Sequence, residues 1–399
     1  MSIQSNTKEI ALEQAIEKSL TGYTLEELKS DNVVHNDPLF YGSHNYLIGM
    51  PTSYDKVFAI DKEYFWEFLE DTQEEELNKL KSRYSNWKAV LLHRYNLLVK
   101  RYGILYLLKK GLQCEDANFT LFYQPPLASS SDIIKENFDK NIFSVTRQLT
   151  YSETNPGEEI DVVLFINGMP VVTMELKNPW TGQNARFHGI RQYKYDRDIR
   201  QTLFNFGRCL VHFAVDTDEV YMTTRLNGDK TFFLPFNKGC NNGEGNPVNP
   251  HGHKTAYLWE EILTRESLAN LIQHFIRFDG KDKDPLDKRT LFFPRYHQLD
   301  VVRKMISDVQ LRGAGNTYLI QHSAGSGKSN SITWAAFQLI DATPLSVEAA
   351  KGKDLNLPIF DSVIVITDRR LLDKQIRDNI HNFTEVKNIV AHAEAANEL

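Results

Sequence analysis

The stretch EIDVVLFINGMPVVTMELKNP, residues 159–179, decides the fold of this chain. Two runs of apolar and β-branched residues flank an Asn-Gly pair, which is the pattern of a β-hairpin. A three-residue connection over 167–169 pairs Ile166 with Pro170 and brings Asp161 opposite Glu175. A two-residue turn shifts the pairing by one residue, so that Asp161 no longer faces Glu175.

The hydrophobic pattern favours the three-residue connection. With it, one face of the hairpin is unbroken and apolar, and the other carries Asp161, Glu175 and Lys177 at one end. The predicted apolar face consists of Val162, Leu164, Ile166, Val172, Met174 and Leu176. We therefore predict that two carboxylates and one ammonium group are gathered at the end of this hairpin.

Two carboxylates within about 5 Å of each other repel unless a divalent cation lies between them. Mg²⁺ prefers one or two carboxylates, water and a phosphate oxygen of the substrate. Asp161 and Glu175 are therefore candidate metal ligands, and Lys177 is a candidate for positioning the attacking water. The same spacing also fits a Glu/Lys pair that faces solvent on an edge strand.

The stretch resembles the motif of the PD-(D/E)XK nucleases, in the form found in the restriction and motor (R) subunit of type I restriction enzymes. The resemblance implies that Asp161, Glu175 and Lys177 form the triad that binds metal and water. Ile160 stands where the motif has proline. Proline has no ligand role, so the triad is not affected.

The family also has a Gln-x-x-x-Tyr motif on the following helix, predicted here over 183–200. In GIRQYKYDRD, Gly189 stands four residues before Tyr193, so Gln192 and Tyr193 are the candidates. An acidic residue on the first helix is implied as well, and Glu13 and Glu17 are equal candidates. The cations after the motif, which we expect to hold DNA, are Arg186, Arg191, Lys194, Arg197 and Arg200.

The bulk composition excludes several protein classes. The chain has 399 residues, enough for two or three domains, with 41% hydrophobic residues and a net charge of −6. It has no apolar run of about 18 residues and no basic, apolar start typical of a signal peptide. Three separated cysteines support neither a disulfide framework nor a zinc site. We expect a cytoplasmic protein without membrane segments.

A second architecture follows a charged segment at 279–290, which we interpret as a linker. Apolar strands are predicted at 317–321 and 362–367, with helices from about 328 to 341 and from about 371. This alternation indicates a parallel sheet.

The turn between the first of these strands and its helix, HSAGSGKS, is typical of a phosphate-binding loop, although His322 stands where the full pattern has glycine. Backbone N–H groups and the helix N-terminus would hold the phosphates of ATP, Lys328 would reach the terminal phosphates, and Ser329 would hold Mg²⁺. The candidate ATP-binding residues of the loop are Ala324, Gly325, Ser326, Gly327, Lys328 and Ser329.

FFPRYHQLDVVRKMI resembles the Q motif of superfamily 2 helicases and translocases, which implies that Gln298 contacts adenine and that Arg295 or Tyr296 lies against the base. Alternatively, Gln298 is only the first residue of an amphipathic helix. VIVITDRRLLDKQI resembles motif Ia, which implies that Asp368 and Arg369 lie near the DNA backbone.

The predicted fold is α/β. A PD-(D/E)XK nuclease domain with a mixed central sheet is expected over 1–278, and an incomplete RecA-like parallel-sheet domain over 291–399. The resemblance implies cleavage of double-stranded DNA with Mg²⁺, coupled to ATP-driven translocation in a complex with methylation (M) and specificity (S) subunits. No second acidic motor motif follows the phosphate loop, so we do not expect this chain alone to hydrolyse ATP. A nuclease-helicase of DNA repair or phage defence, and a non-catalytic docking module, are the alternatives.

Overall fold

The computed structural model describes residues 3–30, 46–127, 130–241, 243–280, 283–367 and 376–377. The helices before residue 280 are α1 (Ile3–Thr21), α2 (Leu25–Ser30), α3 (Lys62–Thr72), α4 (Glu74–Arg83), α5 (Trp87–Tyr102), α6 (Ile104–Lys110), α7 (Asp132–Asp139) and α8 (Arg265–Asn270). Three further helices follow, α9 (Tyr296–Arg312), α10 (Lys328–Leu339) and α11 (Val347–Ala350). None of these described helices has the length and apolar character needed to cross a membrane.

The strands of the central sheet are β1 (Leu47–Ile48), β6 (Phe143–Thr150), β7 (Glu159–Ile166), β8 (Met169–Leu176), β9 (Val211–Val215), β10 (Val220–Thr223) and β11 (Leu234–Pro235). Their order is β1-β6-β7-β8-β9-β10-β11. β1 is parallel to β6 and β8 is parallel to β9, whereas the other neighbours are antiparallel. The predicted mixed central sheet is thus confirmed.

Small two-stranded sheets surround the central one. They pair β2 (Tyr54–Asp55) with β3 (Ile60–Asp61), β4 (Leu112–Cys114) with β5 (Ala117–Phe119), and β12 (Arg277–Asp279) with β13 (Thr290–Phe292). Short 3₁₀ turns lie at Pro51–Ser53, Pro179–Thr181, Thr202–Phe204 and Leu286–Lys288, and π-helical turns lie at Ala185–Gly189, Gln192–Asp196, Leu258–Ile262 and Leu271–Phe275.

Both faces of the central sheet are buried. On one face, the apolar side chains of β7 and β8 pack with residues of α1, α3, α5 and α6, and α1 contributes Leu12, Ile16 and Leu20, which are spaced four residues apart. On the other face, Val163 and Phe165 pack with the turns that follow the hairpin. Because a sheet covered on both faces has little solvent contact, any polar side chain in its middle needs a partner.

The segment at 279–290 is bounded by the paired strands β12 and β13, and it contains the buried Leu286. The hydroxyl of Thr224 donates to the carbonyl of Leu291 at 2.8 Å, and the Arg225 guanidinium donates to the carbonyl of Asp287 at 2.8 Å. These contacts tie the segment and β13 to the residues that directly follow β10. The division of the chain into domains stays a prediction.

Helices α9 and α10 pack on each other and on the large core through Leu299, Val302 and Trp334. The segments 317–321 and 362–367 form no strand, and Leu319 and Ile366 are 95% and 86% exposed. The parallel sheet predicted for this part is therefore not formed among the described residues. A strand requires a hydrogen-bonded neighbour, and neither segment has one there. Asp368 and Arg369 lie outside the described residues.

Candidate active site

The turn of the β7–β8 hairpin differs from the predicted one. Asn167 and Gly168 have positive φ angles of 49° and 73°, and they form a two-residue turn in which Ile166 pairs with Met169. The predicted three-residue connection is therefore wrong. The two-residue turn is stabilised by contacts outside the hairpin. The side chain of Asn167 accepts from the N–H of Ile142 at 2.6 Å and donates to the carbonyl of Leu121 at 2.9 Å.

The register at the far end of the hairpin is nevertheless the predicted one. A bulge between Leu164 and Phe165 absorbs one residue of β8, and beyond it Val162 pairs with Met174. All six residues of the predicted apolar face lie in the large core. The bulge thus restores the arrangement in which Asp161 and Glu175 lie on the same face at the same end of the sheet.

The two carboxylates are held by different partners. The Oδ2 of Asp161 accepts a hydrogen bond from the N–H of Leu176 at 2.6 Å, which fixes Asp161 across the hairpin. Glu175 is fully buried, and its Oε1 accepts from the Nε of Arg197 at 2.5 Å. Its Oε2 is buried without a hydrogen-bond partner among the described residues.

Burial sets the protonation of Glu175. Burial first, and the nearby charge of Asp161 second, raise the pKa of Glu175 to about 8, although the positive charges of Arg197 and Lys177 oppose this rise. A carboxyl with this pKa is readily protonated near neutral pH unless a cation stabilises its charged form.

Lys177 lies at the end of β8, where that strand runs beside β9. Its N–H donates to the carbonyl of Val215 at 2.8 Å, and its buried ammonium donates to the carbonyl of Leu176 at 2.7 Å. Gly189 packs against its stem: a Cβ atom added to this glycine would lie 3.6 Å from the Cγ of Lys177. The structure therefore places Lys177 at the same strand end as the two carboxylates.

The structure distinguishes the two acidic candidates of α1. Burial and the charge of Asp161 raise the pKa of Glu13 to about 7, so Glu13 is electrostatically coupled to the site. Glu17 instead accepts from Arg147 at 2.7 Å and from the N–H of Leu25 at 3.0 Å. The buried Arg147 also pairs with Glu13 at 3.3 Å. Arg147, which sequence reasoning missed, thus ties α1 to β6.

Tyr193 is buried, and its hydroxyl lies 2.8 Å from the Oγ1 of Thr173, which in turn lies 2.7 Å from the Nδ1 of His212. Burial lowers the pKa of His212 to about 3, so its ring is neutral. Tyr193 therefore supports the sheet next to Glu175, on the face that Thr173 and Glu175 share, through this network. Gln192 is half-buried beside it, and its backbone carbonyl accepts from the N–H of Arg197 at 3.1 Å.

Arg197 is placed differently from our prediction. We expected it to hold DNA, but its side chain is only 7% exposed and pairs with Glu175. Its guanidinium also lies over the ring of Tyr151, 5.6 Å from the centroid. The local sequence contains a run of cations, and nothing in their spacing distinguishes the one that turns inward. Sequence reasoning also missed Thr173 and His212, which belong to separate strands.

The site fits a divalent cation in its donor chemistry. Asp161 and Glu175 supply the hard carboxylate oxygens that Mg²⁺ prefers, and the buried Oε2 of Glu175 has no other partner among the described residues. Within the described part of the chain, no group of three or more His, Cys, Asp or Glu side chains is arranged to enclose a metal. His251 and His253, two histidines close together in the sequence, are not part of such a group among the described residues either. A cation at this site would thus rely on two carboxylates together with water or substrate.

The candidate phosphate loop precedes α10. Gly325 and Gly327 have positive φ angles of 74° and 82°, and Gly327 lies directly before the first helical residue, Lys328. The ammonium of Lys328 donates to the carbonyls of His322 at 3.1 Å and Ser323 at 3.0 Å. Lys328 therefore forms hydrogen bonds within the loop itself, and its side chain remains exposed.

Gln298 lies at the start of α9 and is buried against this loop. Its Nε2 donates to the carbonyls of Ser326 and Gly327, both at 3.1 Å, and its Oε1 accepts from the N–H of Arg295 at 2.9 Å. A Cβ atom added to Gly327 would lie 2.3 Å from this Nε2. Gln298 thus holds the loop in the structure, and its predicted contact with adenine stays a prediction.

Comparison with known proteins shows that this chain matches a protein family. Residues 8–231 match the family model described as the type I restriction enzyme R protein N terminus. A Methanocaldococcus jannaschii protein named "Putative type I restriction enzyme MjaVIIIP endonuclease subunit" is 29% identical over 254 residues, which cover 61% of this chain and 22% of that protein.

Two bacterial relatives give similar alignments. The type I restriction enzyme HindI endonuclease subunit of Haemophilus influenzae is 24% identical over 295 residues, or 70% of this chain and 25% of that protein. The type I restriction enzyme SauCOLORF180P endonuclease subunit of Staphylococcus aureus is 24% identical over 249 residues, or 62% of this chain and 23% of that protein. The aligned part thus spans about a quarter of the length of these relatives.

Proposed function

The chain belongs to the family of type I restriction enzyme R protein N termini, and from this premise we propose that it carries the DNA-cleaving site of a type I restriction endonuclease. The reaction is Mg²⁺-dependent hydrolysis of phosphodiester bonds in double-stranded DNA. The observation that carries the proposal is the convergence of Asp161, the buried Glu175 and Lys177 at one end of the β7–β8 hairpin, with one Glu175 oxygen left unpartnered among the described residues.

Each residue has a distinct role in the proposed reaction. Asp161 and Glu175 hold the cation, which when bound supplies Lewis-acid activation of water and neutralises charge on the phosphate. Lys177 is held at the strand end by its backbone bond to Val215, and its ammonium positions the attacking water and offsets the growing negative charge. Arg197 keeps the carboxylate of Glu175 in place through its hydrogen bond to Oε1.

Glu13 fits a fourth role. Burial and the charge of Asp161 raise the pKa of Glu13 to about 7, so its carboxyl can exchange a proton near neutral pH. Glu13 is thus suited to accept or hold a proton at the edge of the site. Its bond to Arg147 fixes it there.

The remaining activities are proposed for the whole enzyme. ATP would bind at the loop 324–329, and translocation of DNA would bring distant sequence to the nuclease site. The M and S subunits would supply recognition of the DNA sequence, and the enzyme would act in the cytoplasm. These proposals draw on the family and on the loop geometry before α10.

The test is Mg²⁺-dependent nicking of supercoiled plasmid by the chain and by Asp161→Asn and Lys177→Met variants. Removal of one such group is expected to lower the rate about 10²- to 10³-fold. Glu159→Gln is a matched control, because Glu159 is on the same strand but exposed. Circular dichroism melts establish that all variants fold.

If the chain alone does not nick, the same substitutions are introduced into the full-length R subunit, which is then assayed with M and S subunits and ATP. Cleavage that survives both substitutions would contradict the proposed site. Loss of cleavage in the Glu159→Gln control as well would show that the assay reports folding rather than chemistry.

A further inference from the structure

The helix after the hairpin has two regular faces. Over Ala185–Asp196, the buried residues Ala185, Gly189 and Tyr193 are spaced by four and face the sheet. The same spacing on the outer side gives Phe187, Arg191 and Tyr195, and all three are exposed. Much of this helix has π-type hydrogen bonding, which has more than four residues per turn, so a spacing of four keeps side chains on one face.

We call Phe187, Arg191 and Tyr195 the outer stripe. Phe187 is 66% exposed and Tyr195 is 65% exposed, so most of each ring is in contact with solvent. Ile190, the aliphatic residue between them, turns inward and packs on the core. The outer face of this helix thus presents aromatic rings and charge but no exposed aliphatic side chain, a composition that differs from an ordinary apolar docking face.

A cation lies over the ring of Phe187, and further cations precede Tyr195 in the sequence. The guanidinium of Arg186 lies 5.8 Å from the centroid of Phe187. Arg191 and Lys194 form no ion pair with any described residue, whereas Arg197 and Arg200 are paired with Glu175 and Asp198. The unpaired positive charges on this helix are therefore those that neighbour the exposed rings.

The helix also lies directly against the candidate active site. Gly189 packs on the stem of Lys177, and the hydroxyl of Tyr193 is hydrogen-bonded to Thr173, two residues before Glu175 on the same strand. An α-helix with side chains is roughly 10–12 Å across. The outer stripe is therefore about one helix diameter from Lys177, a distance that nucleotides flanking a bound phosphodiester can span.

We infer that the outer stripe binds unpaired bases of the DNA strand beside the cleaved phosphodiester, with Phe187 and Tyr195 stacking on bases and Arg191 contacting the intervening phosphate. Aromatic rings interleaved with cations are how proteins hold single-stranded nucleic acid, because every base has a stacking face. Phe187 and Tyr195 are eight residues apart, so they are at most about 12 Å apart along the helix axis and engage different nucleotides. This inference rests on the proposed function and specifies its substrate: DNA that is locally opened at the site.

The experiment measures binding without cleavage. Fluorescence anisotropy is recorded in EDTA with a labelled oligothymidine of about 20 nucleotides and with a fully paired duplex of the same length. For Phe187→Ala and Tyr195→Ala we expect a roughly 5- to 150-fold weaker affinity for the single strand, the fold-change that corresponds to about 1–3 kcal/mol per stacked base. Affinity for the duplex should change less than about 2-fold, because paired bases are not available to the rings.

Two further variants separate stacking from simple apolar contact. Phe187→Trp keeps an aromatic face and should retain the affinity for the single strand, whereas Phe187→Leu keeps apolar volume and should lose it. Arg191→Gln should make the plot of log affinity for the single strand against log salt concentration less steep, by the amount expected for the loss of about one phosphate contact.

Equal losses for single strand and duplex, or full affinity in Phe187→Leu, would overturn the inference. Unchanged oligonucleotide binding together with weaker assembly with M and S subunits would show instead that the stripe is a protein interface. Because binding is measured without metal, it is independent of nicking. If nicking depends on Lys177 but the stripe variants bind as the wild type does, only this inference is refuted. If the stripe variants bind more weakly but neither the chain nor the full complex nicks DNA, only the proposed function is refuted.

Discussion

Replacing Glu175 by glutamine isolates the electrostatic cost of a carboxyl in the middle of the sheet. Burial, followed by the charge of Asp161, raises the pKa of Glu175 from the ordinary 4.5 to about 8. A carboxyl whose pKa is raised in the folded state stabilises the fold fully below its unfolded pKa, and this contribution is lost as pH rises through the folded pKa. At about 1.4 kcal/mol for each pKa unit, the complete loss is roughly 5 kcal/mol.

About 3 kcal/mol of that loss falls between about pH 5.5 and about pH 8.5. Glutamine does not ionise, and its amide oxygen still accepts from the Nε of Arg197, so Glu175→Gln should not suffer the loss. With about 2.1 cal/mol/K of unfolding entropy per residue and 399 residues, this corresponds to about 4 °C in Tm. We therefore expect the Tm of the variant, relative to wild type, to rise by about 4 °C over this pH range.

The assay is a set of thermal melts in EDTA at several pH values, followed by circular dichroism. Glu159→Gln is the control, because the exposed Glu159 lies on the same strand, and its Tm difference from wild type should not follow pH in this way. Adding Mg²⁺ at about 100 times its Kd at the higher pH should stabilise the wild type by about 2.7 kcal/mol and the Glu175 variant much less.

A Tm difference that does not vary with pH would refute this reasoning. A difference of the opposite sign, with the wild type gaining stability over the variant as pH rises, would show that the pairing with Arg197 outweighs burial and the charge of Asp161. Either result would remove the electrostatic argument for a cation at Glu175.

Three further substitutions test the scaffold by urea denaturation. Gly168→Ala should lower the free energy of unfolding by more than about 3 kcal/mol, because Gly168 has a φ of 73° and an added Cβ would lie 2.4 Å from the backbone oxygen of Asp61. A loss below about 1 kcal/mol would contradict the two-residue turn. Thr173→Val removes the hydrogen bonds to the buried Tyr193 and His212 and should lower the free energy of unfolding by about 2–4 kcal/mol. Thr173→Ser keeps a hydroxyl and should lower it less. Equal losses in the two variants would argue against the hydrogen-bond network. Trp334→Ala should cost about 3–5 kcal/mol, since this buried side chain bonds the Phe275 carbonyl at 2.8 Å; unaltered stability would show that α10 does not pack on the core.

The sequence was sufficient to predict the hairpin and the residues at its end. Side chains along β7 and β8 alternate with a period of two, and a one-residue slip would move six apolar side chains onto the face that carries Asp161 and Glu175. The register at Val162 and Met174 therefore follows from the pattern. The turn did not follow from it. A two-residue turn with a bulge and a three-residue connection give the same register at the far end, and the choice is made by Asn167, whose partners come from other segments of the chain.

The pairing of charges also had to come from the tertiary structure. Two acidic residues of α1 were equal candidates in sequence, and only the packing of α1 on β6 makes Glu13 the one coupled to Asp161. Likewise, a run of cations predicted a DNA contact, but the structure turns Arg197 inward to Glu175. Charge interactions depend on distance and burial, and neither can be read from residue types alone.

What the sequence by itself determined is therefore local: strand periodicity, the hairpin, the phosphate-loop pattern and the placing of Asp161, Glu175 and Lys177 at one end of the hairpin as candidate site residues. Tertiary structure decided which side chains face one another, including the Glu175–Arg197 pair and the outward direction of Phe187 and Tyr195. The physical reason is that periodicity acts between near neighbours in the chain, whereas burial, pKa and pairing arise from segments that meet only after the chain has folded.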